Sequence, residues 1–263
     1  MKGWAVAALL IGAGLAAAQT PAPSPTPSPT PPARRSGFDD MRASTQALQR
    51  DDAQNPAMLW VADGEALFAR TPASSGAPAC LACHATASLR GVAARYPAFD
   101  AALGRPVSLA HRINLCRQRH QREAPLAFES APLLALEAYV AHASRGQPIA
   151  PPADARLAPF QARGQAIYHQ RIGQINLSCA NCHDERAGRK LGGNPIVQGH
   201  PTGYPIYRLE WQTLGSLERR LRACMTAVRA EPLAPYDEDM AALQVFLMRR
   251  AAGMPLETPA VRP

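Results

Sequence analysis

Two short segments, Cys80-Leu81-Ala82-Cys83-His84 and Cys179-Ala180-Asn181-Cys182-His183, carry the most legible chemistry in the chain. Two thiols at this spacing can add across the two vinyl groups of one haem, and the histidine that follows reaches the iron from its proximal side. Cysteine and histidine at short spacing also build structural zinc sites, and exported chains form disulfides. Neither alternative explains why a histidine follows the second cysteine twice, or why both segments sit inside one larger repeat. The expected cofactors are therefore two covalently bound haem c groups. Cys80, Cys83, Cys179 and Cys182 would be their anchors, and His84 and His183 their proximal iron ligands.

Two cysteines remain, Cys116 and Cys224, at matching places downstream of the two motifs. A haem held by a proximal histidine needs a group on its other face, commonly Met, His or an open position. A single repeated thiol points to Cys116 and Cys224 as those ligands, and thiolate donation would make both haems hard to reduce. A Cys116–Cys224 disulfide, or two buried free thiols, are the alternatives. Met225 adjoins Cys224, but Arg117 stands at its place in the first half. His111 and His120 flank Cys116, but Arg219 and Val228 are their counterparts.

In the run from Arg219 to Arg229, a helix would place Arg220 one turn before Cys224 on the same face. A thiolate sulfur beside a guanidinium is a pocket for a small sulfur oxyanion, which makes Cys224 and Arg220 the candidate catalytic pair. Arg112 holds the same place before Cys116, so pairing with haem propionates in both halves is the plainer alternative. Arg219 and Arg229 read as propionate partners or solvated side chains. Lys190, Arg208 and Arg222 are weaker candidates for lining an anion route.

The elements that must position these groups are themselves duplicated. Gly64-Glu65-Ala66-Leu67-Phe68 precedes the first motif and Gly164-Gln165-Ala166-Ile167-Tyr168 the second. Tyr139 follows Cys116 by 23 residues and Phe246 follows Cys224 by 22, each on an apolar helical face closed by Gly-x-Pro, at Gly146 to Pro148 and Gly253 to Pro255. Each half should cross a Gly/aromatic helix with an aromatic terminal helix, leaving segments such as 192–205 as haem-wrapping loops. The expected fold is all-α, with two tandem class I-like cytochrome c domains at 36–150 and 151–263.

Ahead of them, residues 1–18 read as a secretory signal, with Lys2, an apolar run from Ala5 and a small-residue end at Ala16-Ala17-Ala18. Residues 19–35 form a proline-rich linker. The apolar run is short for a membrane span and no later stretch reaches that length. The expected location is thus the periplasm. The net charge of +8 and pI near 9.6 arise almost wholly from arginine. For an exported chain this favours small anions or acidic protein partners over nucleic acid.

The stretch from Arg220 through Cys224 to Pro232, and the ending Gly253-Met254-Pro255-Leu256-Glu257-Thr258-Pro259, resemble the SoxA family, dihaem cytochrome subunits of the thiosulfate-oxidising Sox system. The resemblance spans nearly the whole chain after the leader. It implies L-cysteine S-thiosulfotransferase activity, in a heterodimer with the monohaem cytochrome SoxX. Thiosulfate would be joined oxidatively to a cysteine of the carrier SoxY. By the same resemblance, Cys224 corresponds to the active-site haem ligand, carried as a cysteine persulfide. Arg220 corresponds to the substrate-binding arginine, and Cys116 to the axial ligand of the first haem. A tetrathionate-forming thiosulfate dehydrogenase, a dihaem electron carrier without catalysis and a dihaem peroxidase are the competing functions.

Overall fold

The computed structural model describes residues 1–4 and 33–263. Most of the expected signal segment and linker therefore lies outside the described residues. The compact unit from Arg34 to Pro263 begins with α1 (Ala43–Arg50), α2 (Met58–Ala69) and the single turn α3 (Cys80–Cys83). The hairpin β1 (Ala98–Asp100)–β2 (Arg105–Val107) follows, then α4 (Leu109–Cys116) and α5 (Ala131–His142). The second half runs α6 (Ala158–His169), α7 (Cys179–His183), the hairpin β3 (Lys190–Leu191)–β4 (Asn194–Pro195) and the hairpin β5 (Ile206–Arg208)–β6 (Thr213–Gly215). It closes with α8 (Leu217–Ala227), α9 (Glu238–Arg250) and β7 (Ala260–Arg262).

The two helix crossings expected from the repeat are present, α2 on α5 and α6 on α9. Glycine is what lets them close. A Cβ on Gly64 would lie 2.0 Å from the Ala135 carbonyl oxygen, and one on Gly164 would lie 2.0 Å from that of Ala242. Beside each crossing an aromatic pair packs at the same separation, Phe68 with Tyr139 and Tyr168 with Phe246, both 5.2 Å between ring centroids. Helix α9 is further favoured by its ends. Asp237 caps it, Glu238 and Asp239 stand at its positive end, and Arg249 and Arg250 at its negative end.

Helices dominate, but the all-α expectation needs correcting: three small sheets are also present among the described residues. One sheet is β1–β2, one is β3–β4, and the third has the order β6–β5–β7, with β7 parallel to β5. Strands of two or three residues are too short to show a period of two, and β7 reaches its partner from far along the chain. The segment read as loop, 192–205, includes β4, paired with β3.

Two of these hairpins brace the cysteine helices, β1–β2 through Asp100 on Arg112 and β5–β6 through the Leu214 carbonyl on Arg219, and here the repeat is strictest. From β1 to Cys116 and from β5 to Cys224, every strand and helix start is displaced by 108 residues. Ser108 caps α4 by accepting from the His111 amide, and Ser216 caps α8 by accepting from that of Arg219. The halves are then tied at their ends. Pro148 pairs with Pro255, Ile149 accepts from the Gly253 amide, and Gly146 donates to the Leu256 carbonyl. One apolar cluster draws Phe68, Leu136, Val140 and Ile149 together with Met248, Ala251, Met254 and Leu256. Among the described residues no helix is long and apolar enough to cross a membrane.

Candidate active site

In the second half, Ser178 starts α7 with a capping box, its hydroxyl accepting from the Asn181 amide while the Asn181 side chain accepts from the Ser178 amide. The turn ends at His183, whose Nδ1 donates to the Val197 carbonyl at 2.7 Å. That bond leaves Nε2 free for a metal and fixes the ring plane, as the outer partners of ligating histidines do. Gly199 makes the approach possible, since a Cβ there would sit 3.1 Å from the His183 Cγ. Opposite the ring lies Cys224 on α8. Burial works against a charged imidazole, but the Cys224 sulfur and the Val197 carbonyl outweigh it and raise the pKa of His183.

Cys224 is half-buried, and its thiol is likewise tuned. Burial pushes its pKa up, while the hydrogen bond with His183 and the positive charges of Arg220 and Arg208 pull it down; the net shift is downward. Arg220 lies one turn earlier on α8, and its side chain makes no hydrogen bond or ion pair among the described residues. A histidine and a thiolate facing each other, with two cysteines on the turn that ends in that histidine, suit a haem iron and its thioether bonds.

The other arginines sort themselves. Arg219 stacks on Trp211 at 4.2 Å and lies 3.8 Å from Glu129. Arg222 donates to the Leu233 carbonyl through one terminal nitrogen. Lys190 is exposed on β3 and Arg229 is exposed beyond α8. Arg208 is buried, pairs with Glu210 at 2.7 Å and stacks on Trp211 at 5.2 Å. Met225 is committed to the apolar cluster with Tyr168 and Met240.

The first half shares the design with altered charges. Arg112 stands one turn before Cys116 but is bound to Asp100 at 2.5 Å, and Arg119 holds the same carboxylate at 2.7 and 3.0 Å. Those arginines hold the Asp100 carboxyl well below the usual carboxylate range. Burial raises the Cys116 thiol, with Arg112 and Arg119 offsetting only part of it. After α4 a π-turn, Arg117–Gln121, carries Gln121 to Cys80, with its Nε2 3.8 Å from the sulfur. Cys116 is near enough to both Cys80 and Cys83 for an electrostatic interaction with each. His84 and Cys83 are exposed, and among the described residues no hydrogen bond joins His84 to Cys116. His111 stacks instead on Tyr236 at 4.6 Å, and His120 is exposed. All six cysteines are unpaired, so no Cys116–Cys224 disulfide joins the halves.

Sequence inspection missed two tyrosines. Tyr96 hydrogen-bonds with Arg112 and feels the Cys116 charge; Tyr204 feels the charges of Arg220, Cys224, Arg208 and Arg262. Each heads a Tyr-Pro pair twenty residues before its cysteine, a repeat that was available in the sequence.

Comparison with known proteins agrees with this geometry. The family model described as SoxA/TsdA, cytochrome c domain, matches residues 63–149 and again 163–256. The chain is 33% identical over 230 residues to the L-cysteine S-thiosulfotransferase subunit SoxA of Pseudaminobacter salicylatoxidans, covering 86% of this chain and 80% of that one. The SoxA subunit of Rhodovulum sulfidophilum is 30% identical, with 87% and 80% covered. The crystal structure of SoxXA from P. pantotrophus superposes with a TM-score of 0.83 at 29% identity, over 88% of this chain and 87% of its own. With its two matched domains, each centred on a Cys-x-x-Cys-His turn and a distal cysteine, the chain belongs to the SoxA/TsdA cytochrome c domain family.

Proposed function

We propose that the chain is the haem-bearing subunit of an L-cysteine S-thiosulfotransferase, joining thiosulfate oxidatively to a cysteine thiol of a carrier protein of the SoxY kind. The observation that carries this is the unpaired Arg220 beside Cys224, across from His183. The overall step is R–SH + S₂O₃²⁻ → R–S–S–SO₃⁻ + H⁺ + 2 e⁻. Haem c supplies one-electron steps when bound, so a second cytochrome of the SoxX kind completes the electron path.

Residues 36–150 would hold one haem through Cys80, Cys83, His84 and Cys116, and residues 151–263 the other through Cys179, Cys182, His183 and Cys224. In the second site Arg220 grips the sulfonate oxygens and offsets their charge. The Cys224 sulfur, as thiolate or persulfide, forms a sulfur–sulfur bond to the sulfane sulfur of thiosulfate while two electrons leave. The carrier thiolate then attacks that sulfane sulfur. The bond to Cys224 breaks, the bond to the carrier forms, and Cys224 leaves as the anion without further redox change. His183 is held for this by the Val197 carbonyl at its Nδ1. The expected leader and the family resemblance support a periplasmic location for the reaction.

Intact mass of protein matured in a haem-exporting host tests the site. Two haem additions plus one sulfur, the sulfur lost on mild reduction and absent from Cys224→Ala, are expected. Product analysis tests the reaction: thiosulfonate on the carrier cysteine supports it, whereas tetrathionate formed without any carrier would replace it with thiosulfate dehydrogenation.

A further inference from the structure

The duplicated hairpins place Asp100 and Arg208 at the same position, the last residue of β1 and of β5, each sixteen residues before its cysteine. The substitution reverses the charge beside an otherwise repeated Tyr–Arg–Cys arrangement. In the first half the acid is consumed, and it consumes: Asp100 is 3% exposed and bound by both Arg112 and Arg119. An anion entering there would meet a carboxylate and two arginines already satisfied by it. In the second half no acid takes that place, and Arg220 is left without a partner.

Arg208 is itself 8% exposed, and its Nε is buried with no hydrogen-bond partner. Its one ion pair uses a single terminal nitrogen, on Glu210, while Trp211 supports the guanidinium plane. Asp100 binds Arg112 directly, so Arg208, at the equivalent place on β5, stands on the side of Cys224 where Arg220 lies, and its charge is felt by both Cys224 and Tyr204. Arg262, the other guanidinium that acts on Tyr204, is committed to Glu257 at 2.6 Å and to Gln49. The whole Arg220 guanidinium and the unpartnered Nε of Arg208 thus remain for a ligand carrying two negative charges. Buried donors without partners are costly unless something accepts from them.

We propose that Arg208 is a second anion-holding side chain of the Cys224 site, and that the exchange of Asp100 for Arg208 between the repeats reserves thiosulfate binding for the second half. This rests on the function proposed above and names a further residue of that same site. Arg208 would hold a sulfonate oxygen that Arg220 does not, fixing which end of thiosulfate faces the cysteine sulfur.

The test compares the dihaem complex carrying Arg208→Met, Arg208→Gln or Glu210→Gln with the unaltered complex. Readouts are haem content, KM and kcat for thiosulfate, and the Kd for thiosulfate and for sulfate by calorimetry. The expected result is a rise of about tenfold or more in thiosulfate KM and in both Kd values for the Arg208 variants, at full haem content and with a smaller change in kcat. Glu210→Gln, which removes the ion pair but keeps the guanidinium, should leave these values near the unaltered ones. Should Arg208→Met not mature, Arg208→Gln, which keeps a donor for Glu210, decides the matter. Unchanged Kd values in a fully haem-loaded Arg208 variant would overturn the proposal. So would an equal rise in Glu210→Gln, which would show that Arg208 only braces the hairpin. Absence of thiosulfate turnover in the unaltered complex would instead remove the function on which the proposal rests, and calorimetry would still measure whether Arg208 holds the anion.

Discussion

Glu137 on α5 and Glu218 on α8 bring one carboxyl from each half into the same buried seam, where the charge of Glu218 adds to the cost of ionising Glu137. The cavity between them, about 20 Å³, is also lined by Glu129, Tyr236, Ser216 and Gln244. The Oε2 of Glu137 has no hydrogen-bond partner, whereas Glu218 accepts from the Tyr236 amide and Glu129 from that of Ser216. The seam therefore abuts the start of the helix that carries Arg220 and Cys224.

A pH dependence of stability follows. Burial, with Glu129 and Glu218 adding to it, pushes Glu137 up to about 8; burial foremost pushes Glu218 up to about 7. Folded pKa values above the unfolded ones mean that the native state binds more protons. The contribution is complete below the unfolded carboxylate range and is lost as pH climbs from there toward about 8. Glu137→Gln should therefore leave Tm nearly unchanged at about pH 4.5 and raise it by roughly 4 °C at about pH 8.5. Thermal denaturation of the haem-loaded protein at the two pH values checks this. An equal Tm at the higher pH would show that the carboxyl ionises there without cost.

Gly64→Ala and Gly164→Ala should each destabilise the protein by about 3 kcal/mol or more, because the added methyl meets a backbone carbonyl carried by the partner helix. The backbone cannot give way as a flexible side chain would. Yield of haem-loaded protein and Tm would both fall. A near-normal Tm for either variant would mean that the crossing can open without cost.

The two equivalent arginines should fail in different ways. Arg220→Met removes a side chain without a protein partner, so stability should hold while kcat/KM for thiosulfate falls by about 100-fold. Arg112→Met strips one of two arginines from the buried Asp100 carboxylate, costing about 2 kcal/mol of stability and leaving thiosulfate KM unchanged. Steady-state kinetics with denaturation of both variants separates the two cases. A large KM effect from Arg112→Met would mean that the first half also handles the anion.

Gly199→Ala should disturb the second haem alone. Its φ is +71° and its Cβ would press on the His183 ring, so the ring should tilt away from the Val197 carbonyl at a cost of about 2 kcal/mol. Visible and magnetic spectra should show one perturbed haem and one unchanged. Two unchanged haems would show that the loop can shift without moving the histidine.

Much of this protein is local chemistry, and for that reason legible in its sequence. The Cys-x-x-Cys-His turns are short-range patterns, and so is the Arg220–Cys224 spacing on one helix. The Gly/aromatic helices declare their crossings because glycine at a helix interior has few reasons other than close approach. The rest depended on groups that only folding brings together. Strands of three residues carry no period, so the hairpins that brace α4 and α8 went unseen, and with them the equivalence of Asp100 and Arg208. The repeated Tyr-Pro pair marked Tyr204 in the sequence, but folding set it within reach of the charges of Arg220, Arg208 and Cys224. The sequence suggested similar arginines before both cysteines. Tertiary structure decided that one is neutralised by a buried acid and the other is not, because charge is set by what surrounds a side chain in space.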